Sequence, residues 1–310
     1  MKVLKNILLS ERPLLISNDG YRQAVDIAFL PAGKSFLTDR PTYKEETDKA
    51  VACVRKLLSE SEDNIEVTND FENTDLPENT VAYHRVYGFI TGGSRWYFSS
   101  KQLEADLIAA EANPSICAHL LHIDSYGGEA WYLDRLTETM RGCKKPIVGI
   151  YEDRCASAAY YIGCHADVLY ATTENDFVGC IGTMTSFYDW DGYYEKMGVK
   201  LVEAKATMSD LKNKTFNDLV DGKPAAFIEN VLNPLNDQFI AAVRSQRPKL
   251  ASMDNDNPVL RGETYYTPAA IENGLIDGKR TLAEAIAEAH ALGCRKSESS
   301  ALKDSIYELI

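Results

Sequence analysis

Two successive strand–turn–helix units constrain this chain more than any other feature. In the first, the apolar run Leu120-Leu121-His122-Ile123-Asp124 is followed directly by Ser125-Tyr126-Gly127-Gly128. Trp131, Leu133, Leu136 and Met140 then recur at roughly helical spacing. In the second, Pro146-Ile147-Val148-Gly149-Ile150-Tyr151 reads as a buried strand and Glu152-Asp153-Arg154 as a charged turn. The run Cys155-Ala156-Ser157-Ala158-Ala159-Tyr160-Tyr161-Ile162-Gly163 follows, with small residues flanking one serine at the start of an apolar helix. This geometry presents a nucleophile at a helix N-terminus. Free N–H groups and the positive end of the helix dipole there stabilise a developing oxyanion. Paired glycines after a strand allow positive φ and close backbone approach, and their N–H groups can supply the other half of an oxyanion hole. Each unit has a plainer reading. Ser157 can be an ordinary N-cap, and the glycine pair a tight strand-to-helix turn. The two units in succession are more specific than either alone.

At these residues the chain resembles the signal peptide peptidase A (protease IV) family. Ile123-Asp124-Ser125-Tyr126-Gly127-Gly128 is similar to the family's I-N-S-P-G-G turn, and Cys155 to Ile162 to its A-A-S-G-G-Y-Y-I nucleophile segment. Ala166-Asp167-Val168-Leu169-Tyr170-Ala171 and Val178-Gly179-Cys180-Ile181-Gly182-Thr183 resemble the A-D-x-I-x-A and x-G-S-I-G-V segments that follow. The resemblance spans roughly 79–293. Tyr126 replaces the usual proline, and Ala158-Ala159 replaces a glycine pair, which narrows access to the serine. The family includes the head-maturation proteases of tailed phages and is related to the Clp-type proteases and crotonases. The resemblance implies an α/β fold: repeated Clp/crotonase-like strand–turn–helix units, a mostly parallel sheet and flanking helices.

The resemblance also implies a chemistry, a serine–lysine dyad acting on polypeptides. A serine hydroxyl needs a base, and a lysine serves only when burial lowers its pKa toward neutrality. Ser157 takes the nucleophile position. Aligning Ser209-Asp210-Leu211-Lys212 with the family's base segment places the base at Lys212, with Lys205 and Lys214 as substitutes. The N–H groups of Gly128 and Ala158 fall at the oxyanion hole, and Gly127 and Ala159 at the floor that receives substrate. The resemblance further implies a closed homo-oligomer. No metal or organic cofactor is implied.

Histidine offers no competing base. The chain has His84, His119, His122, His165 and His290. The segment Phe177 to Met184, where a Clp-type protease carries its histidine, has none. All five read as structural or surface residues.

The remaining sequence sets the context. The net charge of −13 argues against nonspecific nucleic-acid binding. Seven scattered cysteines without a paired motif suggest reduced thiols in a cytoplasmic setting and no zinc site. The apolar run near Met1 is too short for a signal peptide or membrane anchor, which favours the phage or prophage branch over the anchored cellular enzymes. The expected organisation is an N-terminal extension over 1–78, a peptidase domain over 79–293 and a tail over 294–310. Expected elements include a helix from Tyr43 to Ser61, a first strand Ala82–Ile90 and a first helix Ser99–Ala112. Further on come a helix Tyr188–Met197, a strand Val199–Ala204 and a long helix Lys223–Gln246.

The reading is a serine endopeptidase of the capsid-maturation type. Two rivals stand beside it. A crotonase-like acyl-CoA enzyme would use the same oxyanion hole with a Glu or Asp as acid or base. An inactive self-assembling scaffold would keep Ser157 with no lysine in reach.

Overall fold

The computed structural model describes residues 14–16, 42–59, 64–187, 189, 191–200 and 202–307. In chain order the elements are β1 (Leu14–Ile16), α1 (Tyr43–Ser59), β2 (Val67–Thr68), β3 (Thr80–Thr91) and β4 (Phe98–Ser99). The strand–helix alternation follows: α2 (Ser100–Ala112), β5 (Ile116–Glu129), α3 (Leu133–Gly142), β6 (Ile147–Ala156), α4 (Ala158–Gly163), β7 (Val168–Ala171) and β8 (Phe177–Gly179). Last come α5 (Asp191–Lys196), α6 (Lys214–Val220), α7 (Asn233–Gln246), β9 (Thr264–Tyr266), α8 (Thr267–Asn273), β10 (Gly278–Lys279) and α9 (Leu282–Tyr307).

The main sheet runs β10-β7-β6-β5-β3-β2, and each neighbouring pair along it is parallel. Antiparallel pairing occurs at β1 on β5 and at β8 on β9. A parallel sheet needs helical crossovers and is therefore covered on both faces. The side chains of β5 show this. Ala118 and Leu120 belong to a core with Val51, Val54 and Leu58 of α1 and Ala285, Ile286 and Ala289 of α9. Leu121 and Ile123 belong to the opposite core, with Leu107 of α2, Leu136 and Met140 of α3, Ile162 of α4 and Phe239 of α7. The mostly parallel sheet with flanking helices is the fold class expected from the sequence.

Local chemistry explains the helix starts. Ser99 caps α2 by accepting the Gln102 N–H at 3.2 Å. Buried Glu104 on α2 accepts bonds from Tyr132 Oη, Arg135 Nε and Thr139 Oγ1, which fixes α3 beside α2.

Several boundaries differ from the sequence expectation. Neither Ser125–Gly128 nor Glu152–Arg154 is a turn out of the sheet. β5 continues to Glu129 and β6 to Ala156. Pairing passes from Ile123↔Tyr151 to Ser125↔Cys155, so β6 bulges over its charged residues instead of leaving the ladder. The helix expected over 223–246 is interrupted by a π-helical turn at Ile228–Leu232, just before Pro234, whose ring cannot donate the next helical bond. No strand forms among the described residues of 199–204, where exposed Val199 and Val202 have no neighbouring edge to pair with. α1, placed in the extension by sequence, packs in the core of the sheet. The 293/294 boundary falls inside the continuous α9.

Candidate active site

The site is built where β5 and β6 end. Ser157 follows β6 immediately and precedes α4. Its backbone sits at φ 56°, ψ −117°. That conformation costs a non-glycine residue on the order of 1–3 kcal/mol and persists only where the surroundings over-determine it. Two backbone bonds hold it: Ser157 N–H to Gly179 O at 2.9 Å and Tyr161 N–H to Ser157 O at 2.8 Å. Below it, Gly163 lets α4 lie on β6, since a Cβ there would meet Cys155 Sγ at 3.0 Å.

The Ser157 side chain does not cap its helix, so the plain N-cap reading is excluded. The residue is 1% exposed, and its Oγ has no geometric hydrogen-bond partner among the described residues. Its polar neighbour is Cys180. Burial pushes the Cys180 thiol up to about 11, the contact with Ser157 works against that rise, and the thiol is neutral near pH 7. A buried, unpaired hydroxyl on a strained strand-to-helix junction is costly unless a reaction uses it.

Opposite it, Ser125 shapes the glycine pair. Its Oγ donates to Gly88 O at 2.6 Å and accepts the Gly127 N–H at 3.1 Å. Gly127 takes φ 104°. A Cβ on Gly128 would lie 2.0 Å from Ile90 O, so only glycine allows β3 to approach here. Ala158, fully buried, is the first residue of α4, where helical N–H groups have no partner within the helix.

Comparison with known proteins bears on this junction. Residues 140–293 match the model of peptidase family S49. That match places the chain among the serine peptidases, as the signal peptide peptidase A resemblance implied. No curated protein matches the chain in sequence. Among solved structures, it is similar to a lysine-to-alanine mutant of the 1510-N membrane-bound stomatin-specific protease in complex with a substrate peptide. The identity is 15% over 69% of this chain and 81% of that one, with a TM-score of 0.43.

None of the lysines named from sequence hydrogen-bonds to Ser157 Oγ. Lys205 pairs with Glu203 at 2.9 Å and Lys214 with Asp218 at 2.5 Å. Lys212 is exposed, and its amine has neither ion pair nor hydrogen bond among the described residues. The surrounding segment is open: Val202, Met208 and Leu211 are 89%, 93% and 72% exposed.

The histidines are held in structural bonds. His84 Nε2 lies 3.0 Å from His119 Nδ1, and His119 Nε2 lies 3.0 Å from Glu111 Oε1. Burial alone would raise the Glu111 carboxyl. Bonds from His119 and from the Lys144 and Lys145 N–H groups outweigh it and hold the group at about 2. His122 faces Tyr83 and Glu152, and His165 donates its Nδ1–H to Tyr161 O. Glu111, His119 and Cys143 are spaced to hold a metal ion. The bonds of this cluster are already satisfied by neutral histidines with each Nε2 protonated. A metal on His119 Nε2 would displace that proton and leave a buried N–H on His84 Nδ1 unpaired.

Three features of the site had little or no signal in sequence. Cys180 stands where the family segment has serine, and only that alignment marks it. It also lines a cleft of about 850 Å³ with Ile181, Met184, Ile240, Arg244 and Arg261. Arg154 lies between the rings of Tyr126 and Phe177, at 3.9 and 4.9 Å from their centroids, and so bridges the ends of β5 and β8. Asp124 sits beside Ser125. Burial, then the Asp153 and Glu152 carboxylates, raise it to about 6.

Proposed function

We propose that the chain is a serine–lysine endopeptidase of the capsid-maturation type. Ser157 attacks the scissile carbonyl. Lys212 takes its proton and returns it to the leaving amine. The N–H groups of Gly128 and Ala158 hold the tetrahedral oxyanion, and Gly127 and Ala159 border the substrate backbone. Loss of one such donor costs on the order of 100-fold in rate. The observation that carries the reading is the strained, unpaired Ser157 hydroxyl between a glycine-bearing strand and a helix N-terminus.

The preference for Lys212 rests on charge. Lys205 and Lys214 are each already engaged in an ion pair with a carboxylate. Lys212 has none. It needs desolvation, and the apolar side chains of Met208 and Leu211 beside it supply a surface for that purpose. In this account the peptidase unit, residues 79–293, works as a homo-oligomer. A second copy covers the 199–214 segment, dries Lys212 and turns it toward a serine. The substrate is an extended polypeptide, and the setting is the cytoplasm of an infected or lysogenic cell.

The test is peptide hydrolysis by the three single lysine variants, read together with sedimentation. Lys212→Ala should lose at least about 1,000-fold in kcat while still assembling, because members of a dyad act as a unit. Lys205→Ala and Lys214→Ala should retain activity. Loss in either of those and not in Lys212→Ala refutes the assignment.

A further inference from the structure

The strand β1 pairs antiparallel with the end of β5: Leu14↔Glu129, Leu15↔Gly128 and Ile16↔Gly127. These partners include both glycines of the candidate site. A strand has two edges, and β3 takes one of them through Phe89↔Gly127 and Ile90↔Gly128. The other edge is the one β6 uses upstream. β6 leaves it after Ser125↔Cys155, while its opposite edge stays paired with β8 through Ala156↔Gly179, one residue before Ser157. β1 therefore fills the stretch of edge that β6 vacates as it delivers the nucleophile.

We propose that residues 14–16 occupy the strand position of the peptide substrate and compete with it in cis. The inference rests on the serine-peptidase reading. An extended peptide docks on an open sheet edge through main-chain bonds. The only free edge of Gly127 and Gly128 among the described residues carries the chain's own Leu14–Ile16. Antiparallel addition suits a segment arriving from elsewhere, since it needs no helical crossover of the kind that makes the rest of the sheet parallel. Three paired residues hold weakly. Tethering gives them a local concentration in the millimolar range, enough to compete with substrate without blocking it. The edge is thus occupied at rest and yields to a longer peptide that pairs over more residues.

Full-length Leu15→Pro tests this, because proline removes the N–H and does not fit a paired strand. The KM for an extended peptide should fall about 5-fold or more, with kcat unchanged. Labelling of Ser157 by a small fluorophosphonate, which needs no strand pairing, should proceed at the wild-type rate. Leu15→Ala keeps the backbone and should leave KM within about 2-fold. A synthetic peptide with the sequence of residues 11–19 should inhibit Leu15→Pro competitively. An unchanged KM in a Leu15→Pro enzyme that labels normally overturns the proposal. So does intact-mass evidence that the wild type, but not Ser157→Ala, removes its own N-terminus, because the segment would then be a substrate. Failure of the wild type to label at all counts against the serine-peptidase reading and is distinguishable from both.

Discussion

The corner holding Gly128 and Ser157 is buried and the segment holding Lys212 is open to solvent. At the corner, each residue is fixed by several neighbours. Ser125 bonds to two backbone groups, Gly128 touches the Ile90 carbonyl, and Ser157 is held in a strained conformation by Gly179 and its own helix. Around Lys212 the chain makes short turns, such as the Lys212 N–H to Ser209 O bond at 3.1 Å, and leaves Met208 and Leu211 in solvent. A nucleophile and its oxyanion donors must be rigid before substrate arrives. A lysine base needs a dry environment, which a surface loop gains only when something covers it. The contrast is between a corner whose residues are fixed by bonds and packing and a segment whose side chains lie in solvent.

The sharpest way to break this contrast is to substitute on each side of it. Gly128→Ala forces a Cβ against backbone and should destabilise the fold by about 3 kcal/mol, seen as a lower urea midpoint. Met208→Ser, on the open segment, should leave the monomer within about 0.5 kcal/mol of wild type. Equal losses would mean the open segment is packed in solution.

Much of the corner was legible in sequence because its information is local. A strand, a glycine pair, a second strand and a serine among alanines lie in contiguous residues, and the parallel sheet follows from their repetition. The rest depends on partners far along the chain. Leu14–Ile16 pair with residues more than a hundred positions away, and a three-residue apolar run carries no mark of its partner. Val199–Ala204 has strand-forming residues but no edge to join, so propensity gave the wrong answer. The charged residues 152–154 looked like a turn because polarity does not distinguish a turn from a bulge.

A smaller effect probes the strain at Ser157. Glycine adopts φ 56° without the Cβ penalty, so Ser157→Gly should stabilise the protein by about 1 kcal/mol while abolishing hydrolysis. A destabilised Ser157→Gly would show that the serine side chain supports the fold and is not held at its expense.

The smallest expected effect is electrostatic. Asp124 has a folded-state pKa of about 6, above its ordinary carboxylate value. The folded state therefore binds this proton more tightly than the unfolded chain. The cost of the charge is absent below the unfolded pKa, near ~3.9, and complete above about 6. Asp124→Asn should raise Tm at pH 8 and lose that gain as the pH falls toward about 4. A gain independent of pH would assign the effect to something other than this carboxyl.

The central claim is that Ser157 is the nucleophile. Intact-mass and peptide mapping after fluorophosphonate treatment test it most directly. One adduct per chain on Ser157, absent from a folded Ser157→Ala protein, is the predicted result. An adduct on another residue, or the same adduct in Ser157→Ala, would contradict it.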